Sequence, residues 1–154
     1  MRAVLSLGSN LGNSAEILSS ASEALNEVSE VIALSSFYQT RPIGGPPQPD
    51  FLNAVVIIET NLEPAELLLV AQAIESAHGR QRNDSTVKWG PRVLDIDLIK
   101  CDEMLINSPE LTIPHPRAHE RAFVLQPWIE VDPTATLPGF GLISHLLESG
   151  ALTE

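Results

Sequence analysis

Hydrophobic positions along the chain change period several times, and each change marks an element. Residues 2–8 alternate and are rich in strand formers, predicting a first strand that ends at the turn residues Gly8-Ser9-Asn10. Asn13, with Glu16 three residues on, marks a helix start. Ile17, Leu18, Ala21, Ala24, Leu25 and Val28 then recur at helical spacing as one buried stripe. A second strand is expected over 31–40, followed by a loop over 41–50 that holds four prolines and two glycines. Residues 51–60, centred on Val55-Val56-Ile57-Ile58, read as a strand buried on both faces. Pro64 stands where the first residue of a helix is expected, and Leu67, Leu68, Ala71 and Ile74 carry its stripe as far as Gly79. A polar loop over 83–88 leads to a strand over 93–99. The tail holds a Pro-rich extended piece at 111–116 and a last helix near 142–148.

The order βαββαβ, with an antiparallel middle hairpin, predicts an α+β fold. It is a ferredoxin-like α/β sandwich of two layers, with a mainly antiparallel sheet flanked by helices. A chain of 154 residues suits one domain over 1–154 and buries roughly 70% of its unfolded surface without a disulfide or structural metal. Cys101 is the single cysteine and reads as a buried thiol. No apolar run approaches the ~20 residues of a membrane helix, and the N-terminus carries no signal-peptide pattern. A cytoplasmic location is therefore expected, with no membrane partner.

Charge changes the picture more through its placement than its total. The net charge of −11 excludes a general nucleic-acid or anionic-membrane binder, which needs a broad basic face. Yet residues 80–121 hold seven of the nine cations, balanced by seven acidic residues. That stretch is either an anion site or a set of ordinary surface ion pairs.

The sharpest chemical feature is Leu94-Asp95-Ile96-Asp97-Leu98. Residues two apart on a strand share a face, so Asp95 and Asp97 project together, with Cα atoms roughly 6.5–7 Å apart, while the leucines and Ile96 enter the core. The pair either faces solvent or holds hard cations such as two Mg²⁺ ions about 3.5–4 Å apart. Arg80, Arg82, Lys88 and Arg92 just upstream favour the second reading, because carboxylates, metal and arginines together hold polyphosphates. Trp89, beside Gly90-Pro91, suits either an apolar latch on a closing loop or a tryptophan tucked onto the surface. Prolines on both sides of His115 confine its backbone and aim its imidazole, with Arg121 nearby, at a phosphate or nucleotide. His78, His119 and His145 read as structural or incidental. Phe51 and Asn53 share a strand face beside Thr40 and Pro42, a plausible clamp for a flat heterocycle or simply core.

Taken together these segments resemble the 6-hydroxymethyl-7,8-dihydropterin pyrophosphokinases of folate biosynthesis. The resemblance runs through Leu7-Gly8-Ser9-Asn10-Leu11-Gly12, Ser36-Phe37-Tyr38-Gln39-Thr40 and Gln48-Pro49-Asp50-Phe51-Leu52-Asn53. It continues through Gly79-Arg80-Gln81-Arg82, Gly90-Pro91-Arg92-Val93-Leu94-Asp95-Ile96-Asp97 and Ile113-Pro114-His115-Pro116-Arg117. It implies transfer of pyrophosphate from ATP to the pterin hydroxymethyl group, with AMP released. By resemblance, Asp95 and Asp97 are ligands to two Mg²⁺ ions, and Arg80 and Arg92 assist the transfer. The pterin would stack between Phe51 and Phe123, its edge read by Asn53 and by groups around Thr40, Pro42 and Ile43, with Trp89 on the closing loop. Gln72, Glu75, Arg82, Lys88, Leu98, Thr112, His115 and Arg121 align with the ATP site. Lys88 stands where known members carry arginine, and Phe51 where some carry tyrosine. Small-molecule substrates, no nucleic-acid partner and a monomer are implied.

Two rivals remain at this stage. An RNA-binding module of the same architecture needs exposed aromatics and a basic surface, against 5% aromatics and a charge of −11. A nucleotidyltransferase built on a D-x-D strand would release pyrophosphate rather than AMP.

Overall fold

The computed structural model describes residues 1–42, 44–79, 93–149 and 152. Five strands form the central sheet: β1 (Arg2–Ser9), β2 (Glu30–Leu34), β3 (Tyr38–Thr40), β4 (Phe51–Glu59) and β5 (Asp95–Cys101). Helices α1 (Ser14–Val28) and α2 (Pro64–Ala77) follow β1 and β4. The C-terminal part adds β6 (Ile106–Asn107), β7 (Thr112–Ile113), a 3₁₀ turn (Ala118–Glu120) and α3 (Ala122–Val131). It ends with β8 (Thr136–Leu137), β9 (Gly141–Leu142) and α4 (Ile143–Glu148). The strand order is β2-β4-β1-β5 with β3 beside β4, and each pairing in the sheet is antiparallel. This is the ferredoxin-like arrangement that the element order predicts.

The helix signals act where the sequence placed them. The Asn13 side chain accepts the Glu16 N–H at 3.3 Å, supplying a partner for one of the first-turn donors that a helix leaves unpaired. Pro64 opens α2, and Gly79, at φ +90°, follows its C-terminal cap in a conformation that costs a glycine little. Val28 departs from expectation: it is 47% exposed, while Leu18, Ala21 and Leu25 are fully buried.

Three differences from the expected pattern matter for the site. The single strand expected over 31–40 is two strands, interrupted at Ser35-Ser36-Phe37. The break is tied to α3, whose exposed Glu130 accepts the Ser36 N–H at 2.9 Å, the Ser36 hydroxyl at 3.1 Å and the Tyr38 hydroxyl. Accepting these bonds holds the Glu130 carboxyl below the usual carboxylate range. The strand expected over 93–99 starts and ends two residues later, at Asp95 and Cys101. Finally, helices lie on both faces of the sheet, so the expected two layers gain a third.

That third layer is α3, to which no element was assigned from sequence. Val124, Leu125 and Trp128 form its buried stripe, but Pro127 sits inside the helix and removes one i→i−4 hydrogen bond. Tertiary burial outweighs the loss: Val124, Leu125, Trp128 and Ile143 pack on Val4, Val55, Ile57 and Ile99. The opposite face carries the larger core, with Leu5, Leu7, Ala54, Val56, Ile58, Ile96 and Leu98 against Leu18, Leu25, Leu67 and Ala71. Cys101 belongs to that larger core, and burial pushes its thiol up to about 11. No helix among the described residues is long and apolar enough to cross a membrane.

Trp128 is 1% exposed and its indole N–H has no partner among the described residues. Trp128→Ala is expected to lower stability by about 3–5 kcal/mol in equilibrium urea unfolding. Trp128→Phe should cost distinctly less, since it fills most of the volume and removes the unmatched donor. Equal losses for the two variants would contradict this account of the α3 layer.

Candidate active site

The α3-side face of the sheet is apolar along only half its length. Val4, Val55, Ile57 and Ile99 lie under α3 and α4. Beyond them, the same alternation brings Ser6 and Gly8 of β1, Phe51 and Asn53 of β4, and Asp95 and Asp97 of β5 to that face. Register aligns them in rows: Gly8 lies opposite both Asn53 and Asp95, and Ser6 opposite both Val55 and Asp97. Strand spacing places Asn53 and Asp95 about 9.5–10 Å apart across Gly8. A bulge in the β1–β5 ladder at Val4/Leu5 leaves Ile99 between the paired Leu98 and Lys100. It falls where the polar end gives way to the apolar one, and Cys101 thereafter enters the opposite core.

Gly8 is the floor between the two halves of this surface. A Cβ there would stand 2.9 Å from Asn53 Oδ1 and 3.8 Å from the Phe51 ring, so a side chain would displace the amide. Asn53 cannot simply swing away, because it is 4% exposed and its Nδ2 donates to Thr40 Oγ1. Thr40, on β3, pairs with Phe51 in register. Thr40, Phe51 and Asn53 therefore form one wall, and half-buried Pro42 lies two residues after Thr40.

The carboxylate side is built on an edge strand whose outer groups are satisfied from elsewhere. Glu75 of α2, 1% exposed, accepts the Ile96 N–H at 2.9 Å, between the two aspartates. The His115 N–H donates to the Ile99 carbonyl at 2.9 Å, directly after the cis Ile113–Pro114 bond. Leu98 is 4% exposed in the main core, so a ligand would meet it through its main chain rather than its side chain. Gln72, one turn before Glu75, and Thr112, on β7, are half-buried.

His115 and Arg121 approach the same end from the segment leading into α3, and Phe123 from the first turn of α3. The Arg121 guanidinium carbon lies 5.4 Å from the centroid of the Phe123 ring, a cation–π approach. His115 Nδ1 accepts the Arg117 N–H at 3.2 Å, which assigns the proton of the neutral ring to Nε2. Burial, then the positive charge of Arg121 and Arg117, lower the His115 pKa from 6.5 to about 4, against the opposing pull of Asp95. His115 is thus neutral at physiological pH, with its proton on Nε2.

As a metal site, the donor set is two hard carboxylates on one strand face. No group of three or more His, Cys, Asp or Glu side chains gathers among the described residues. Such a pair fits Mg²⁺, which keeps several waters and binds through one or two carboxylates plus substrate phosphates. Of the residues singled out from sequence, Ile43, Arg80, Arg82, Lys88, Trp89 and Arg92 lie outside the described residues. The others fall on this sheet end or on the elements bordering it. Sequence reading passed over Ser6 and Gly8 as site residues; the polar break at Ser6 and Gly8 in an otherwise apolar strand was the available signal.

The His115 assignment has a direct check. Between pH 6.5 and about 4, the unfolded chain takes a proton that the folded one refuses, so this group makes stability fall as pH drops through that window. In NMR spectra of the folded protein, the His115 ring signals should stay at their neutral positions from pH 8 to 5. A midpoint near 6.5 would contradict the buried, arginine-flanked environment.

Comparison with known proteins identifies the family. Residues 4–133 match the family model described as 7,8-dihydro-6-hydroxymethylpterin-pyrophosphokinase. The chain is 47% identical over 146 residues to the 2-amino-4-hydroxy-6-hydroxymethyldihydropteridine pyrophosphokinase of Mycobacterium tuberculosis (strain ATCC 25618 / H37Rv), covering 88% of this chain and 75% of that protein. It is 39% identical over 151 residues to the protein of the same name from Haemophilus influenzae, covering 97% and 92%. With that of Pseudomonas aeruginosa it shares 40% over 148 residues, covering 95% and 90%. A crystal structure of HPPK-DHPS in complex with substrates superposes with a TM-score of 0.73 at 14% identity, and supports the fold alone. It is matched over 96% of this chain, which spans only 43% of that longer one. Matched along most of its length by the family model and by these relatives, the chain belongs to the 7,8-dihydro-6-hydroxymethylpterin-pyrophosphokinase family.

Proposed function

We infer that this chain transfers the pyrophosphoryl group of ATP to the hydroxymethyl oxygen of 6-hydroxymethyl-7,8-dihydropterin, a step of folate biosynthesis. The observation that carries the reading is the row Asn53–Gly8–Asp95. It sets a heterocycle-reading wall and a carboxylate pair side by side on the half of one sheet face that lies beyond α3. In the reaction the hydroxymethyl oxygen bonds to the β-phosphorus and loses its proton. The bond from that phosphorus to the α–β bridging oxygen breaks, and AMP leaves.

Such transfer asks the protein mainly for alignment and charge neutralisation. Phe51 and Phe123 offer apolar faces for the pterin ring. Asn53, oriented by Thr40, presents its amide oxygen to the pterin edge, with Pro42 and Ile43 completing that wall. Asp95 and Asp97 are suited to hold two Mg²⁺ ions, which supply neutralisation of phosphate charge and a lowered pKa for the attacking hydroxyl. His115 donates Nε2–H to a phosphate oxygen without changing the local charge, while Arg121 provides a fixed positive one. The outer edge of β5 at Leu98, together with Gln72, Glu75 and Thr112, borders the nucleoside end of ATP. By family resemblance, Arg80 and Arg92 stabilise charge toward the leaving AMP, Arg82 and Lys88 contact the phosphates, and Trp89 closes over the pterin.

The test is a product assay with ATP, Mg²⁺ and the pterin, resolving AMP, ADP and pyrophosphate. Pterin-dependent AMP is expected, falling to background in the Asp95→Ala, Asp97→Ala double variant. Free pyrophosphate with no AMP would favour the nucleotidyltransferase alternative. Gly8→Ala should raise the KM for pterin by about tenfold or more, since displacing the Asn53 amide forfeits roughly a hydrogen bond or two. The KM for ATP should change little in that variant, and parallel increases in both would contradict the division of the site at Gly8.

A further inference from the structure

The loop over 41–50 is poorly equipped to hold its own shape. Pro42, Pro46, Pro47 and Pro49 lack backbone donors, Gly44 and Gly45 adopt positive φ, and 44–47 and 49 are exposed. Its two ends nonetheless carry the heterocycle wall, Thr40 on one side and Phe51 on the other. Asn10, 5% exposed at the end of β1, reaches across to it. Its Nδ2 donates to Gln48 Oε1 and to the Pro49 carbonyl, both at 2.9 Å, bridging 38 and 39 residues of chain. Pro49 lies two residues before Phe51. Asn10 lies two residues after Gly8, over which the Phe51 ring packs.

We propose that Asn10 is a positioning residue for pterin binding: by fixing Gln48 and the Pro49 carbonyl, it sets where the returning chain delivers Phe51 onto the Gly8 floor. Floor and wall are thereby set by one strand end. The inference rests on the pyrophosphokinase reading. The side chain itself need not touch either substrate. It acts on the wall that holds the heterocycle, while the carboxylate side, built on β5, α2 and the segment before α3, does not depend on it. A residue needed only for stability would weaken both substrates alike.

The test uses the full chain with Mg²⁺ and a non-hydrolysable ATP analogue. Calorimetry gives the analogue affinity first, then that of 6-hydroxymethyl-7,8-dihydropterin on the saturated protein. Asn10→Ala is expected to weaken pterin binding about tenfold or more, with analogue affinity within about twofold of wild type. Gln48→Ala, on the loop and away from the core, should reproduce part of the loss. The double variant should lose less than the product of the two single effects, because both delete one shared bond. Steady-state kinetics should show a raised pterin KM with kcat at saturation little changed. Unaltered pterin affinity in Asn10→Ala, equal losses for pterin and analogue, or full multiplicativity with Gln48→Ala would each overturn the proposal. Wild-type protein that binds the analogue but no pterin would overturn the pyrophosphokinase reading and this inference with it.

Discussion

A helix that covers only half of a sheet face is the constraint on which the rest of this structure depends. Every buried strand residue must find apolar company or a hydrogen-bond partner. Under α3, Val4, Val55, Ile57 and Ile99 find the first. Beyond its N-terminal end, the same strands switch to Ser6, Gly8, Asn53, Asp95 and Asp97 at the positions that alternation sends to that face. The boundary between core and site is therefore a boundary in side-chain chemistry along three strands that share one register. Arg121 caps the N-terminus of α3 and Phe123 lies in its first turn, so the element that closes the core also contributes to the rim of the site.

The aspartate strand illustrates how an open edge is made safe and useful together. β5 ends the sheet, and an unpaired edge strand exposes a row of backbone donors and acceptors. Here the buried Glu75 carboxylate accepts the N–H between the two aspartates, and the segment at His115 takes up the Ile99 carbonyl. These bonds come from elements on either side, α2 and the chain leading to α3. They fix the strand against sliding or twisting at the point where the two aspartates share a face. Precise convergence matters more for phosphate chemistry than the identity of the acids, because such transfer is governed by alignment.

Electrostatics follow from the same layout. Although the chain carries a net charge of −11, burial, and then the positive charge of Arg121 and Arg117, keep His115 neutral well into the acid range. An imidazole kept neutral beside arginines donates one directional hydrogen bond where a second cation is already present. Arg117 is itself joined to Glu120 at 2.9 Å, which offsets part of its charge.

Much of this was legible in the residues alone. Alternation over β1, β4 and β5, helical stripes with their Asn13 and Pro64 starts, and the spacing of Asp95 and Asp97 are local properties, dictated by periods of 2 and 3.6 and by backbone chemistry. Hence the ferredoxin-like order and the shared face of the aspartates could be read before any coordinates. What sequence left open was set by burial. Pro127 masked α3 because the gain from packing Trp128 and Leu125 on the sheet, which outweighs one lost backbone bond, is invisible to local propensity. The break at Ser35–Phe37 depends on Glu130, 94 residues from Ser36. The roles of Gly8, Glu75 and Asn10 likewise exist only across strands or loops distant in the chain. Local chemistry decided which residues were suited to the site, and only long-range packing decided which of them meet.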